Sequence, residues 1–400
     1  MTRKSSPLGV NRTAVHTFVS VLLAGFCASS AIPAHAGITV VPPLAELVAA
    51  DGASGDGFGS SVVLEGKTLV VGSPYSMGIG GAYIFTGSGA TWAQIAKLTA
   101  SDGTAGSQFG FAVAISGTTV AVGAPMQAGG AVYLFVEPAT GWGDMTETAK
   151  LTYTGGGFGN CVAFGGGGKL LLTGGSFQNA AYVFAKPANG WITTSSPTAN
   201  LVAPVGATGF GTSLTASGMT AVVGASGTNN ASGAAYVFSL QPGVANINSI
   251  AALTASDSGG FLGESLAIAG NTVVAGAQGH DNGVGAVYVF VEPATGWADM
   301  IQTAELTISV RGQTAFGAGV AVSASVIFVG LPSGRTGAIV DYIKPTTGWA
   351  NSSTPIREFA PSITSDAFGE VVSFNGTTLA AGDFSFNQSQ GAVYIFEAAR

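Results

Sequence analysis

The chain has 400 residues, of which 62 are glycine and 47% are hydrophobic, whereas only 8% are charged. About a quarter of the residues of an ordinary globular protein are charged, so this composition excludes a charged disordered tail and a coiled coil. The formal net charge of −7 repels nucleic-acid phosphates and anionic membranes, so we expect no nucleic acid and no membrane among the partners.

Residues 1–36 have the three parts of a signal peptide. Basic residues precede an apolar run at 18–28, and an Ala-x-Ala cleavage motif ends at Ala36. The apolar run is too short to cross a bilayer, which needs about 20 residues. We therefore expect cleavage of this segment, no membrane insertion, and a mature domain at 37–400 that is secreted, periplasmic or extracellular.

A strand-like run, Ala45 to Ala49, comes next, and after it the chain repeats itself with a period of about 50 residues, which is typical of repeat architectures. The repeated element is a Phe-Gly pair, with one variant that has an extra residue, Phe261-Leu262-Gly263. The regular pairs are Phe58-Gly59, Phe109-Gly110, Phe158-Gly159, Phe210-Gly211, Phe316-Gly317 and Phe368-Gly369.

Each unit contains four short runs rich in Val, Ile, Tyr and Phe that glycine and proline separate, as expected of strands. In the second unit, the link Ser116-Gly117 predicts a tight hairpin. The four runs of that unit are Phe109 to Ile115, Thr119 to Gly123, Gly130 to Val136 and Glu147 to Thr152. Seven such units predict an all-β fold, a seven-bladed β-propeller of four-stranded blades.

The third run of most units has a Tyr-x-Phe pattern, as at Tyr133 and Phe135, and we expect these aromatic side chains to fill the space between blades. The sixth unit departs from the pattern with Val340-Asp341-Tyr342. The last unit ends after its third run, Gly391 to Phe396. We therefore predict that Ala45 to Ala49 is the outer strand of the seventh blade and closes the ring.

A second element follows each Phe-Gly start. It reads Val-Gly-Ser-Pro at 71–74, Val-Gly-Ala-Pro at 122–125, Val-Gly-Ala-Ser at 223–226, Ala-Gly-Ala-Gln at 275–278 and Val-Gly-Leu-Pro at 329–332. Together the two elements resemble the FG-GAP repeats of integrin alpha-chain propellers and their exported microbial relatives, over about residues 45 to 400. The resemblance implies a propeller that serves extracellular binding or adhesion.

Integrin-type repeats place an Asp-x-Asp-x-Asp-Gly calcium loop between the first and second strands, because calcium needs several oxygen ligands. Here the corresponding links, such as 64–67 and 116–118, have too few carboxylates to chelate calcium, so we expect no integrin-type calcium site and no cofactor. Asp51 and Asp56 share one loop between units, and Asp102 and Asp257 match Asp51 in position. We favour hydrogen bonds from turn amides to these carboxylates over weak calcium binding, which stays open.

Other chemistry has few residues to support it. His280 and Cys161 are the only histidine and cysteine after residue 36, too few for a conventional zinc site, so we expect no metal. We interpret His280 as a solvated loop residue rather than a triad member, and Cys161 as a small core residue rather than a reactive thiol. No catalytic constellation is recognisable, which favours a protein that is not an enzyme.

The five tryptophans share one phase of the repeat, and two explanations remain open. An exposed ring of tryptophans would stack on sugars. Alternatively, each indole anchors an outer loop onto its blade, and we favour this second explanation. The tryptophans are Trp92, Trp142, Trp191, Trp297 and Trp349.

The hypothesis that follows is an exported, non-enzymatic, monomeric propeller that recognises a protein or glycan through the loops of one face. A polysaccharide-active hydrolase or lyase and a structural envelope or matrix component are the alternatives. The candidate ligand-binding residues come from the fourth-to-first and second-to-third strand loops, which emerge at the same end of a blade. They are Asp51, Asp56, Tyr75, Asp102, Met126, Gln127, Asn229, Asn230, His280, Asp281, Asn282, Arg335 and Asp383.

Overall fold

The computed structural model describes residues 38–398 except 155, 258, 310–313, 333–336, 364 and 366. The predicted signal peptide lies outside the described residues. The strands in chain order are β1 Thr39–Val41, β2 Ala45–Leu47, β3 Ser61–Glu65, β4 Thr68–Ser73, β5 Gly81–Ser88, β6 Thr91–Thr99, β7 Ala112–Ser116, β8 Thr119–Ala124, β9 Ala131–Val136, β10 Met145–Thr146, β11 Ala149–Thr152, β12 Phe158–Gly165, β13 Leu170–Gly175, β14 Ala180–Ala185, β15 Ala199–Val202, β16 Phe210–Ser217, β17 Thr220–Ala225, β18 Ala235–Ser239, β19 Asn246–Asn248, β20 Ala251–Thr254, β21 Ser265–Ala269, β22 Thr272–Ala277, β23 Ala286–Val291, β24 Met300–Ile301, β25 Ala304–Leu306, β26 Val320–Val322, β27 Val326–Leu331, β28 Ala338–Ile343, β29 Arg357–Phe359, β30 Val372–Phe374, β31 Thr378–Asp383 and β32 Ala392–Glu397.

Among the described residues, helical structure is confined to single turns in the loops between second and third strands. They are the 3-10 turns Ser76–Gly78 and Ser176–Gln178 and the turns α1 Thr228–Ala231, α2 His280–Gly283 and α3 Phe386–Ser389.

The strands form seven sheets arranged as the blades of a closed ring. Blade 1 is β3–β6, and blades 2 to 7 follow in chain order, each with its first strand innermost. The first strands of neighbouring blades contact each other around the ring, and β3 of blade 1 contacts β30 of blade 7. The predicted seven-bladed propeller is therefore confirmed.

The outer strand of blade 7 comes from the N-terminal part of the chain, as predicted. β2 pairs antiparallel with β32, with Ala45 opposite Ile395 and Leu47 opposite Val393. The strand ends at Leu47, two residues earlier than expected, although Ala49 remains buried. Hydrogen bonding between the two ends of the chain thus completes the last blade.

The Phe-Gly pair forms the junction between blades. Phe109 packs edge-on against Tyr133 and Phe135, while Gly110 has a φ of 98°, a conformation that side chains rarely adopt. The glycine of the second element, such as Gly72 in β4, packs so closely under the next blade that an added Cβ would overlap the Gly110 carbonyl. Both glycines are thus needed for close approach of neighbouring backbones.

Side-chain hydroxyls add hydrogen bonds at several of these junctions. Ser213 Oγ donates to the Gly263 carbonyl at 2.5 Å, and Ser265 Oγ donates to the Gly317 carbonyl at 2.7 Å. Ser61 makes the same bond to the next blade. These bonds satisfy a carbonyl that the close packing would otherwise bury unpaired.

The one-residue variant at 261–263 shifts the roles of its residues. Leu262 is fully buried and packs with Tyr288 and Phe290, the place that phenylalanine occupies in other blades. Phe261, with a φ of 67°, is exposed on the surface. The inserted residue therefore removes this phenylalanine from the core, which the repeat pattern did not reveal.

The outer strands are covered by a feature that the sequence analysis missed. The segment that leads into the outer strand of one blade pairs in parallel with the outer strand of the preceding blade, as β10 does with β6 and β1 with β29. We call these segments straps. In blade 1, the Asp144 carboxylate of a strap also accepts the Lys97 amide at 2.7 Å. Straps cover edges that would otherwise be free to pair with other chains.

Candidate functional site

Apart from Arg335, the candidate residues from the sequence fall on one face of the ring, the loop face, formed by the fourth-to-first and second-to-third strand loops. Two recurrent features define it. One is a polar cluster around the hydroxyl of the third-strand tyrosine, which we call the tyrosine cluster, and the other is a set of exposed apolar side chains.

The tyrosine cluster of blade 2 contains Asp102, one of the predicted residues. Tyr133 donates its hydroxyl hydrogen to Asp102 Oδ1 at 2.7 Å, and Lys150 Nζ donates to Asp102 Oδ2 at 2.5 Å. The ammonium also lies 5.0 Å from the centroid of the Tyr133 ring. A carboxylate of the inter-blade loop is thereby bound to the third and fourth strands of the blade.

Blade 1 repeats this arrangement with Asp51, Tyr83 and Lys97. Lys97 Nζ lies 2.5 Å from Asp51 Oδ2 and 5.2 Å from the Tyr83 ring centroid. Burial is the largest single effect and disfavours the charged form of both partners. Their mutual hydrogen bond, the hydrogen bonds with Tyr83 and the attraction between the charges together outweigh it, so the pKa of Asp51 is lowered and the pKa of Lys97 is raised. Asp51 and Asp102 are therefore ion-paired, and each carboxylate also has the backbone hydrogen bond that the sequence favoured.

The ion pair of blade 2 is expected to contribute to stability in a pH-dependent way. Burial raises the pKa of Asp102, but hydrogen bonds from Lys150 and Tyr133 outweigh it and hold that pKa below its ordinary 3.8. The pair therefore stabilises the fold fully above the unfolded-state pKa, and this stabilisation is lost as the pH falls through the lower folded-state value.

We expect Asp102→Asn to lower the free energy of unfolding at neutral pH by at most about 1 kcal/mol, because the pair is half-exposed. The difference from wild type should shrink at acid pH, below the ordinary 3.8, as the pH falls through the lowered folded-state pKa of the carboxylate. Urea unfolding at both pH values measures it, with the exposed Asp281→Asn as control. An equal penalty at both pH values would exclude an ionic contribution.

Three predicted residues have buried side chains that hold the loops in place. Asp56 Oδ2 accepts the Ala53 amide at 2.9 Å, which is the turn role favoured from the sequence. Gln127 donates from Nε2 to the Asp102 carbonyl at 3.0 Å. Asp383 accepts hydrogen bonds from the amide and hydroxyl of Ser365. The two carboxylates and the side-chain amide of Gln127 thus face the protein interior.

Other predicted residues are exposed. Tyr75 and Met126 project from the loops of blades 1 and 2. The pairs Asn229–Asn230 and Asp281–Asn282 are exposed at the tips of α1 and α2, where all four residues have positive φ, a region that Asn and Asp tolerate better than most residues. Arg335 lies outside the described residues.

His280 is positioned differently from the solvated residue that the sequence indicated. Its side chain is 17% exposed, and Nε2 lies 3.5 Å from Asp257 Oδ2. Tyr288 donates its hydroxyl hydrogen to the other oxygen of Asp257 at 2.6 Å. His280 is therefore part of the tyrosine cluster of blade 5.

Exposed apolar residues on the loop face were missed by the sequence analysis, apart from Tyr75 and Met126. Met77 is 83% exposed and Phe177 is 70% exposed, both in second-to-third strand loops, and Phe261 is 43% exposed. Other exposed apolar residues lie in the segments between third and outer strands, at the rim of the ring, and include Ile192, Ile301 and Ile356. Met77 and Phe261 are exposed because both have positive φ, and this backbone geometry turns their side chains outwards.

The central channel is a cavity of about 480 Å³ to which all seven blades contribute. Its wall contains aliphatic and aromatic side chains, such as Ile115, Ile268 and Phe374, together with small polar ones such as Ser116. Among the described lining residues none is ionisable, so they offer no group for acid-base catalysis.

Cys161 and the tryptophans take structural places. Burial raises the pKa of Cys161 to about 12. Its Sγ lies 3.3 Å from the Gly211 carbonyl oxygen, the contact that corresponds to the hydrogen bond from Ser213 to the Gly263 carbonyl in the next blade. Trp191 and Trp349 are 6% and 7% exposed, and the other three are half-buried. The indoles pack onto blades at the straps and outer strands, which supports anchoring over an exposed sugar-binding ring.

By fold and junction geometry the protein is a seven-bladed β-propeller. Its sequence matches the FG-GAP repeat family at residues 44–85, 92–135, 196–238 and 248–290, so the chain contains four FG-GAP repeats that the family model recognises. Each matched stretch begins near the outer strand of one blade and ends in the third strand of the next, because the loop between blades belongs to the repeat.

Solved structures share the fold at low sequence identity. Hydrazine synthase of Kuenenia stuttgartiensis is 12% identical with a TM-score of 0.59, covering 88% of this chain and 98% of that chain. A putative 6-phosphogluconolactonase from Bacteroides uniformis is 12% identical with a TM-score of 0.55, covering 76% and 85%. Such identities show the fold alone. No curated protein matches the sequence, and no helix among the described residues is long and apolar enough to span a membrane.

Proposed function

We propose that this protein is an exported, non-enzymatic binding module that recognises an extracellular protein through its loop face. The observation that supports this most is the exposure of Tyr75, Met77, Met126, Phe177 and Phe261 on that face. Aromatic residues and methionine are enriched at protein interfaces, and exposed apolar side chains there gain free energy when a partner covers them.

A protein partner fits these side chains better than a glycan. The tryptophans that would form a sugar-stacking ring are buried or half-buried on the blades, and the exposed set of the loop face combines aromatic side chains with methionines, which do not stack on sugars. The flexible methionines Met77 and Met126 adapt to varied apolar surfaces. The tyrosine clusters beneath hold the loops in place, so little conformational entropy is lost when the face binds.

The test compares two triple variants with the same number of apolar side chains removed. One changes Met77, Phe177 and Phe261 to Ser, and the other changes Ile192, Ile301 and Ile356 at the rim of the ring to Ser. Fluorescently labelled wild-type protein is titrated onto the surface of the producing cells, and separately onto a glycan array. We expect saturable binding of the wild-type protein to cells and at least about tenfold weaker binding of the loop-face variant. A loss of about 1.4 kcal/mol of binding free energy is enough for a tenfold weaker affinity.

The rim variant should bind as wild type does. Equal weakening by both variants would contradict a role for the loop face. Binding to the glycan array in place of cells would assign the ligand to carbohydrate. Product release from a panel of polysaccharide and ester substrates would replace the binding function with an enzymatic one.

A further inference from the structure

The tyrosine clusters of blades 1, 2 and 5 share one geometry but differ in charge. The residue directly opposite the tyrosine on the outer strand is Lys97 in blade 1, Lys150 in blade 2 and Glu305 in blade 5. In the first two blades the lysine ammonium therefore neutralises the loop aspartate. In blade 5 the same position supplies a second carboxylate beside Asp257.

The geometry of blade 5 brings three potential metal ligands together. One ligand atom each from Asp257, His280 and Glu305 lie within 4.8 Å of one another. Tyr288 holds Asp257 Oδ1 at 2.6 Å, so that Oδ2 faces His280 Nε2 at 3.5 Å. The buried Nδ1 of His280 has no hydrogen-bond partner among the described residues, so the interaction at Nε2 is the polar contact that positions the ring.

Two adjacent carboxylates repel each other unless a cation lies between them. Blades 1 and 2 supply that cation as lysine, and blade 5 replaces it with an imidazole and a second carboxylate. One imidazole nitrogen with carboxylate oxygens suits Zn²⁺ and related transition ions, whereas Ca²⁺ and Mg²⁺ prefer oxygen ligands alone. The pKa of Tyr288 is raised by burial and also by the nearby carboxylates of Asp257 and Glu305.

We propose that Asp257, His280 and Glu305 bind a divalent transition-metal ion of the Zn²⁺ class at the outer part of the loop face. The ion occupies the place that the lysine ammonium has in blades 1 and 2. It links the fourth-to-first loop, the α2 turn and β25 of blade 5. Three protein ligands leave a coordination position for water in a four-coordinate zinc site.

The test is a calorimetric titration of the purified protein with Zn²⁺ alone. Glu305→Lys is the most informative variant, because it recreates the Asp–Lys pairing of blades 1 and 2 and should fold without metal. We expect one zinc ion per wild-type chain and at least about tenfold weaker zinc binding by Glu305→Lys and His280→Ala. Replacing a residue that only supports a metal ligand already weakens metal affinity about tenfold or more, and replacing the ligand itself should weaken it at least as much.

Glu397→Lys makes the same change of charge at an exposed position of blade 7 and should bind zinc as wild type does. Melting temperatures without metal check folding, and that of Glu305→Lys should match wild type. His16 and His35 are common to all these proteins and cannot explain a difference. No saturable zinc binding, or equal binding by wild type and Glu305→Lys, would overturn the proposal. Either result leaves the loop-face function untouched, because no partner takes part in the titration.

Discussion

Gly224→Ala is expected to destabilise the folded protein by about 3 kcal/mol or more, the upper range for an overpacked core. The added methyl group would overlap the Gly263 carbonyl of the next blade and the Ser213 hydroxyl. Neither the Gly263 carbonyl nor the Ser213 hydroxyl can move freely, because the hydroxyl donates a hydrogen bond to that carbonyl. The Gly263 amide is also fixed, since it donates to the Gly276 carbonyl. Urea unfolding followed by tryptophan fluorescence measures the loss.

The matched control is Gly143→Ala in a loop between third and fourth strands. A methyl group there meets no atom within 4 Å, so its effect should stay within about 0.5 kcal/mol. The same close approach recurs at one glycine of every blade, at Gly72, Gly123, Gly174, Gly224, Gly276, Gly330 and Gly382. If both alanine variants unfolded at the same urea concentration, the junctions would be looser than the structure indicates.

Deletion of residues 37–50 is expected to open the ring and cause aggregation. It removes β1 and β2, leaving β32 with an unpaired outer edge that can pair with other chains. It also removes Leu47 and Ala49 from the core that includes Phe58 and Tyr83. We expect a melting temperature lower by roughly 10 °C or more, as the loss of several kcal/mol would give, together with a smaller soluble fraction.

Point variants in β2 separate packing from the deletion itself. Leu47→Ala removes a buried side chain and should cost about 2–3 kcal/mol. Glu46→Ala, on the exposed side of the same strand, should change stability by less than about 0.5 kcal/mol. A deletion variant that melts and remains soluble like wild type would mean that closure by the N-terminal strand is dispensable.

The sequence alone determined the number of blades, their strand order and the way the ring closes. These follow from a period of about 50 residues and from two glycine elements per unit, since each repeat must form the same junction. It also indicated that Cys161 belongs to the core and that Asp56 holds a turn. Within one unit, residue spacing is enough to predict which side chains share a strand and a face.

The tertiary structure decided which loop residues are free to bind and which are not. Asp102 and Lys150 are far apart in sequence yet form one ion pair, because the loop that precedes a blade folds back onto its outer strand. The straps arise in the same way, from pairing between one blade and the next. Such contacts depend on how neighbouring repeats are placed in space. A one-dimensional repeat does not contain that information, and neither the exposure of Met77 and Phe177 nor the grouping of Asp257, His280 and Glu305 could be read from it.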